Sequence, residues 1–232
     1  MSISRRGFLG CAAGVSAVVL GNRSRWSHAL PTGSVLAQGC KLVDPGTGCP
    51  LRESAAGYQA ALSSLNVSYE ESSLHSFAPA RMMILPAFAP LAGAQLAKVR
   101  EHLENGSTVL VESGAGFLNP GEFHFHRRLI KSALGLSLHS PIGLWDSADS
   151  FKQSPYVDYR WPLAVKVRDF TRVVPVDCAG REVIAWFHEL PVAARRRVGK
   201  GTLVFLGSPL GPHLLSGDRE ASSWLASLCS SC

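Results

Sequence analysis

The stretch Ser107 to Phe117, STVLVESGAGF, constrains the fold of this 232-residue chain more than any other. From Thr108 to Glu112 the side chains, Glu112 itself apart, are β-branched or apolar with no helical spacing, and a glycine-rich turn follows at once. That pattern predicts a buried central strand ending in a sharp loop. In open α/β sheets, ligands gather outside the carboxyl ends of such strands. The turn Ser113-Gly114-Ala115-Gly116-Phe117 is therefore the expected ligand-binding place.

The first residues read differently. Ser4-Arg5-Arg6-Gly7-Phe8-Leu9 leads into a mildly apolar run from Gly7 to Leu20, too short to cross a hydrocarbon core of about 30 Å as a helix. The arginine pair followed by Phe-Leu resembles a bacterial twin-arginine export signal, an address read by the export machinery. Cleavage fits best after Ser27-His28-Ala29; a later cut after Val35-Leu36-Ala37 would remove a candidate first strand. Phe8-Leu9-Gly10-Cys11 has the look of a lipoprotein site but stands before the apolar run. The expected organisation is a signal over residues 1–29 and a single α/β domain over 30–232, periplasmic or secreted, with no stable membrane span after processing. Arg5, Arg6, Arg23 and Arg25 all lie in the leader, which holds no acid, so the net charge falls from +6 to +2 on processing. The basicity belongs to the leader and gives no argument for nucleic acid.

Five cysteines follow the leader: Cys40, Cys49, Cys178, Cys229 and Cys232. An oxidising compartment allows pairs among them, and the odd number leaves a thiol over. Cys40 with Cys49 would close a short loop. Cys229-Ser-Ser-Cys232 has redox spacing but follows a helix rather than starting one, so the helix dipole does not lower its thiol pKa. A structural tail is the expected reading.

Along the chain, Ser34 to Gln38 reads as a first strand and Lys41 to Pro50 as a loop punctuated by Pro45, Gly46, Gly48 and Pro50. Tyr58, Ala61, Leu62 and Leu65 recur at helical spacing. Val67 to Glu71 and Arg81 to Pro86 read as strands, the second apolar enough to be covered on both faces. Leu96, Val99 and Leu103 mark a helix over Ala92 to Glu104, with Asn105-Gly106 as its stop. Phe123, His126, Ile130 and Leu134 mark another over Glu122 to Leu134. Between Leu136 and Arg172 the alternation fails, and an aromatic-rich insertion carries Trp145, Phe151, Tyr156, Tyr159, Trp161 and Phe170. Val183 to Phe187, Val192 to Val198 and Thr202 to Gly207 read as strands, the last two joined through Gly199-Lys200-Gly201. Asp218 caps a final helix with Ala221, Trp224, Leu225 and Leu228 on its apolar side.

The order of these elements, with ILP at Ile84 to Pro86, LAKVREHLENGSTVLVESGAG and VGKGTLVFLGSPLG, resembles the class I glutamine amidotransferase-like superfamily. Within it the phrases look most like the N-terminal amidotransferase-like domain of biotin protein ligases and the noncatalytic amidotransferase-like domains of some β-galactosidases. The resemblance implies a three-layer, flavodoxin-like fold with a mostly parallel central sheet and a late antiparallel hairpin. Catalytic members carry a cysteine after the central strand and a histidine near the last one, because a thiol needs a base to become nucleophilic at neutral pH. Aligned on that pattern, Gly114 stands at the nucleophile position and Ser208-Pro209-Leu210 at the His-Pro-Glu position. The resemblance thus implies a pseudoenzyme: an exported, noncatalytic domain without cofactor, binding a small ligand or protein partner.

The alternative is a serine-type hydrolase in which Ser113 attacks, His213 or His124 takes the proton and Glu112 orients the base. A hydrolase elbow places glycine two residues before and after the serine, where this chain has Val111 and Ala115, so Ser113 reads better as a turn residue. Phe123-His124-Phe125-His126 suggests a metal pair only on a strand; on a helix the two rings lie about 200° apart. No metal site is expected. Arg195-Arg196-Arg197 reads as a solvated sheet edge that discourages pairing, or as a docking surface for an acidic partner.

Overall fold

The computed structural model describes residues 39–44, 51–73, 80–88, 93–144, 155–169, 171–177 and 182–232. The leader, the strand expected at 34–38, Cys49, Cys178, Trp145, Phe151 and Phe170 lie outside the described residues.

The first half of the chain alternates strand and helix: β1 (Cys40–Val43), α1 (Arg52–Ser64), β2 (Tyr69–Ser72), β3 (Met82–Phe88), α2 (Gly93–Glu104) and β4 (Thr108–Ser113). A 3-10 turn over Ala115–Phe117 leads into α3 (Pro120–Leu134). This helix starts two residues before the expected Glu122. Asn119 accepts from the Glu122 N–H while Glu122 returns a bond to the Asn119 N–H, and Pro120 fills the first turn, where its missing N–H is no loss. Gly135, at φ 64°, ends it.

The second half is mostly strand. The short β5 (Ser137–Leu138) and β6 (Ile142–Gly143) precede β7 (Tyr156–Tyr159) and β8 (Val165–Arg168). Then come β9 (Arg172–Val173), β10 (Val176–Asp177), β11 (Glu182–Phe187), β12 (Leu190–Val198) and β13 (Gly201–Leu206). The chain closes with α4 (Gly211–Leu215) and α5 (Arg219–Ser231), the latter capped by Asp218 on the Ala221 N–H.

Nine strands form one mixed sheet in the order β2-β1-β3-β4-β13-β12-β11-β7-β8. Neighbours from β2 through β13 are parallel; from β13 onward they are antiparallel. The molecule is thus α/β with a large mixed sheet, and its antiparallel part is larger than the single late hairpin expected.

Because successive strand residues face opposite ways, β4 feeds two cores. Leu110 meets Tyr58 and Leu62 of α1 and Trp224, Leu225 and Leu228 of α5. Val109 and Val111 meet Leu96, Val99 and Leu103 of α2 and Phe123 and Ile130 of α3. Each such fully buried side chain contributes about 2 kcal/mol.

Three sequence expectations are corrected here. β1 overlaps the start of the segment predicted as loop: four residues are too few to show periodicity, and Lys41 breaks the apolar run by ion-pairing with Glu70 at 3.8 Å. The aromatic-rich segment is no mere insertion, because β7 and β8 extend the main sheet, burying Val157, Tyr159, Val165 and Val167. Arg195 to Arg197 lie on an interior strand, since β12 pairs on both sides. Arg195 bonds Glu182 at 2.7 Å, and Arg196 donates to the Leu134 carbonyl at 2.9 Å.

The contact between α1 and α4 is backbone against backbone. A Cβ added to Gly57 would run into the carbonyl of Gly211. Gly57→Ala is expected to destabilise the fold by at least about 2 kcal/mol through overpacking, read as a lower urea midpoint at unchanged slope.

Candidate functional site

The carboxyl end of β4 carries a carboxylate inside an apolar core. Glu112 is fully buried on the α1 side of the sheet, where a charge is costly without partners. Four donors from separate segments meet it. The Ser54 hydroxyl of α1 and the Ala87 N–H of β3 (3.2 Å) donate to Oε1. The N–H groups of Leu210 (3.1 Å) and Gly211 (2.9 Å), at the start of α4, donate to Oε2.

Ala87 holds φ at 41°, a left-handed backbone that costs a non-glycine residue about 1–2 kcal/mol. It lies where the β3–β4 register breaks between Leu85 and Phe88. The kink is what turns its N–H toward Glu112.

Burial pushes the Glu112 carboxyl above its ordinary value, and Ser54 and Gly211, then Tyr58 and Ala87, oppose that rise without cancelling it. The Tyr58 hydroxyl lies near enough to act on Glu112 but outside strict hydrogen-bond geometry. Three of the four partners are backbone N–H groups, which can only donate, so both carboxyl oxygens accept, while the Ser54 hydroxyl can donate or accept.

A second buried carboxylate lies on the same side of the sheet. Asp169, after β8, accepts at Oδ1 from the Thr171 N–H (2.9 Å) and hydroxyl (2.8 Å), and at Oδ2 from the Ser208 hydroxyl. His213 Nε2 stands 3.9 Å from Oδ1. Tyr159 bridges the two acids electrostatically: burial raises its pKa first, then Asp169 and Glu112, with Ser208 opposing. Ser54, Tyr58, Tyr159, Asp169 and Ser208 were not singled out as site residues from sequence. The members of this site named from sequence are Glu112, at the end of the predicted central strand, and His213.

The sequence-predicted site is taken apart by the same geometry. Ser113 follows Glu112 and so faces the α2/α3 side, while His213 packs on the α1 side with Leu214. Serine and base are on opposite faces of the sheet, and His124 lies exposed on α3. The serine-hydrolase arrangement is therefore excluded. Ser113 Oγ instead accepts the Ala115 N–H at 3.2 Å, as a turn residue does.

The glycine turn is closed by its own neighbours. Gly114 donates to the Phe88 carbonyl (2.8 Å), Arg172 donates to the Gly116 carbonyl (3.2 Å), Ala115 is fully buried and Phe117 is half-buried. A shallow recess of about 440 Å³, lined by Ser63, Asn66, Val67, Ser68 and Tyr69, lies at the amino end of β2, away from this turn. Among the described residues no group of three His, Cys, Asp or Glu could hold a metal ion, and no helix is long and apolar enough to cross a membrane. His126 lies buried beside Phe88, ring centroids 5.9 Å apart.

No family model matches the chain, and no curated protein matches it in sequence. Solved structures do. A β-galactosidase from Rahnella sp. R3 is similar over 84% of this chain and 31% of its own, at 12% identity and TM-score 0.63. An exo-β-1,4-mannosidase from Opitutaceae bacterium strain TAV5 is similar over 84% of this chain and 36% of its own, at 15% identity and TM-score 0.60. A cytoplasmic protein from Salmonella typhimurium LT2 matches over 76% of this chain and 86% of its own, at 9% identity and TM-score 0.56. The chain thus spans about a third of the length of the two glycosidases.

These findings correct the family reading. The neighbours include β-galactosidases, which the stated resemblance also named, and a mannosidase, but no family model supports the amidotransferase-like or biotin protein ligase assignment. The phrases behind it describe strands that end in glycine or proline turns, which any sheet of this order makes. The noncatalytic, pseudoenzyme expectation falls with the family, since lacking a cysteine and its base says nothing about carboxyl chemistry.

Two outcomes are expected. Glu112→Gln places an NH2 against donors whichever way the amide turns, at a cost of about 3 kcal/mol in urea unfolding. His126 is lowered by burial to about 4. The unfolded chain takes up this proton below about pH 6.5 and the folded one only below about 4, so stability falls between those values and no further below them. His102, lowered by burial and then by Lys41, adds to the same slope. His126→Leu is expected to reduce the stability difference between pH 7 and pH 4.5 by about 2 kcal/mol.

Proposed function

We propose that this chain acts in glycoside processing, as an α/β unit of glycosidase type directed at β-linked sugars. The observation that carries this reading is the likeness of 84% of the chain to part of two glycosidases of different sugar preference. Their printed names share the β linkage. A three-layer, flavodoxin-like description of the unit belongs to the same proposal, supported by the separate cores on the two faces of the sheet.

The chemistry of the carboxyl edge supports it in part. Most glycoside hydrolysis uses two carboxyl groups, one a proton donor and one ionised. Glu112, surrounded by donors, suits the ionised role and not the donor role. Asp169, with Ser208, Thr171 and His213 around it, is the other buried acid on that edge. Export through the twin-arginine machinery to the periplasm or beyond remains part of the proposal, supported by Arg5-Arg6-Gly7-Phe8-Leu9.

The test presents aryl β-galactosides and β-mannosides to the protein and reads both release of the aryl alcohol and thermal stability. A ligand at about tenfold its Kd stabilises by about 1.4 kcal/mol, a rise of about 3–6 °C in Tm for a domain of this size. Saturable stabilisation or turnover, weakened in Asp169→Asn, is expected. If neither sugar is hydrolysed and neither moves the Tm at any concentration, the glycoside reading is wrong.

A further inference from the structure

The three described cysteines converge on one place, the amino end of the sheet beneath α5. Cys40 opens β1 and is paired in register with Met82 on the adjacent strand β3. Parallel neighbours lie about 4.8 Å apart, and both side chains enter the core that α5 covers. Cys229 on α5 reaches down to the same point, its Sγ 3.9 Å from the Met82 Sδ. Cys232 follows three residues later, on the same side of the helix end. It is half-buried, packs against the same core, and places its Sγ 3.2 Å from the Leu228 carbonyl. Arg81 fixes this end by donating to the Cys232 carbonyl.

We propose that Cys40 and Cys229 are a disulfide pair that ties the first strand to the last helix, with Cys232 as the thiol through which oxidation enters. The three sulfurs differ in access. Cys40 and Cys229 are buried, and burial together with Cys232 beside Cys40, and with Cys40 and Cys232 beside Cys229, pushes both thiols up to about 12. Cys232 is also raised by burial, but Thr108, Arg81 and Ser231 work against that rise. It is the thiol that an external disulfide can meet.

The steps balance without a metal. The Cys232 thiolate, its proton given to solvent, attacks the disulfide of a low-molecular-weight or protein donor and expels one donor thiolate. The Cys229 thiolate attacks the Cys232 sulfur of that mixed disulfide and expels the second donor thiolate. The Cys40 thiolate then attacks the Cys229 sulfur and returns Cys232 as a thiol. Two cysteine thiols are oxidised, and one donor disulfide is reduced to two thiols.

This assignment differs from the short Cys40–Cys49 loop that spacing alone allows and does not depend on the glycoside reading. The test incubates the full chain with oxidised glutathione, blocks remaining thiols by alkylation, and maps linked peptides by mass. A Cys40–Cys229 link is expected, formed at least about tenfold more slowly in Cys232→Ser. It should raise the Tm and disappear with dithiothreitol. A final link between Cys229 and Cys232, a link from Cys40 to Cys49 or Cys178, or full alkylation of Cys40 and Cys229 after oxidation would each overturn it.

Discussion

One carboxylate organises this fold. Glu112 sits where apolar packing alone would favour a leucine, and its two oxygens collect donors from α1, the end of β3 and the turn into α4. Each donor segment is fixed in turn by another constraint. Ser54 is held because α1 and α4 touch through Gly57 and Gly211, and the Ala87 N–H points inward only because its backbone is left-handed. Removing the acid would leave several backbone donors buried without acceptors, which is why a costly charge is retained.

That arrangement bears on what the site can do. A carboxylate surrounded by donors is a poor proton donor and a good anchor, so Glu112 fits the orientation of a loop better than acid catalysis. Asp169 has a different setting, with hydroxyls at both oxygens and an imidazole nearby. The two acids lie on the α1 side, whereas the glycine turn that attracted attention in the sequence is packed shut by Phe88 and Arg172.

Much of the architecture was legible because long elements carry strong periodicity. α1, α2, α3 and α5 follow their apolar spacing, and β3, β4, β11 and β13 follow continuous or alternating runs. What was missed was short or depended on distant partners. β1 has four residues, and β7 and β8 draw their stability from pairing with β11 more than from local pattern. The site was legible at two residues, Glu112 and His213, both named for a serine arrangement that the geometry excludes. Ser54, Tyr159 and Asp169 join the site through contacts between residues far apart in sequence, which no local spacing encodes. The family phrases failed for a related reason: strand-then-turn sequences report local geometry, and many unrelated sheets share that geometry.

The position of α5 has a consequence for how the chain acquires its shape. Trp224, Leu225 and Leu228 come from the last nine residues yet are fully buried over strands made at the start and middle of the chain. Packing on this face joins residues far apart along the chain, so it closes only after long loops have been drawn together, a step that costs entropy before any contact rewards it. α1 supplies part of the cover and α5 completes it, so a helix distant in sequence sets when this half of the sheet becomes solid.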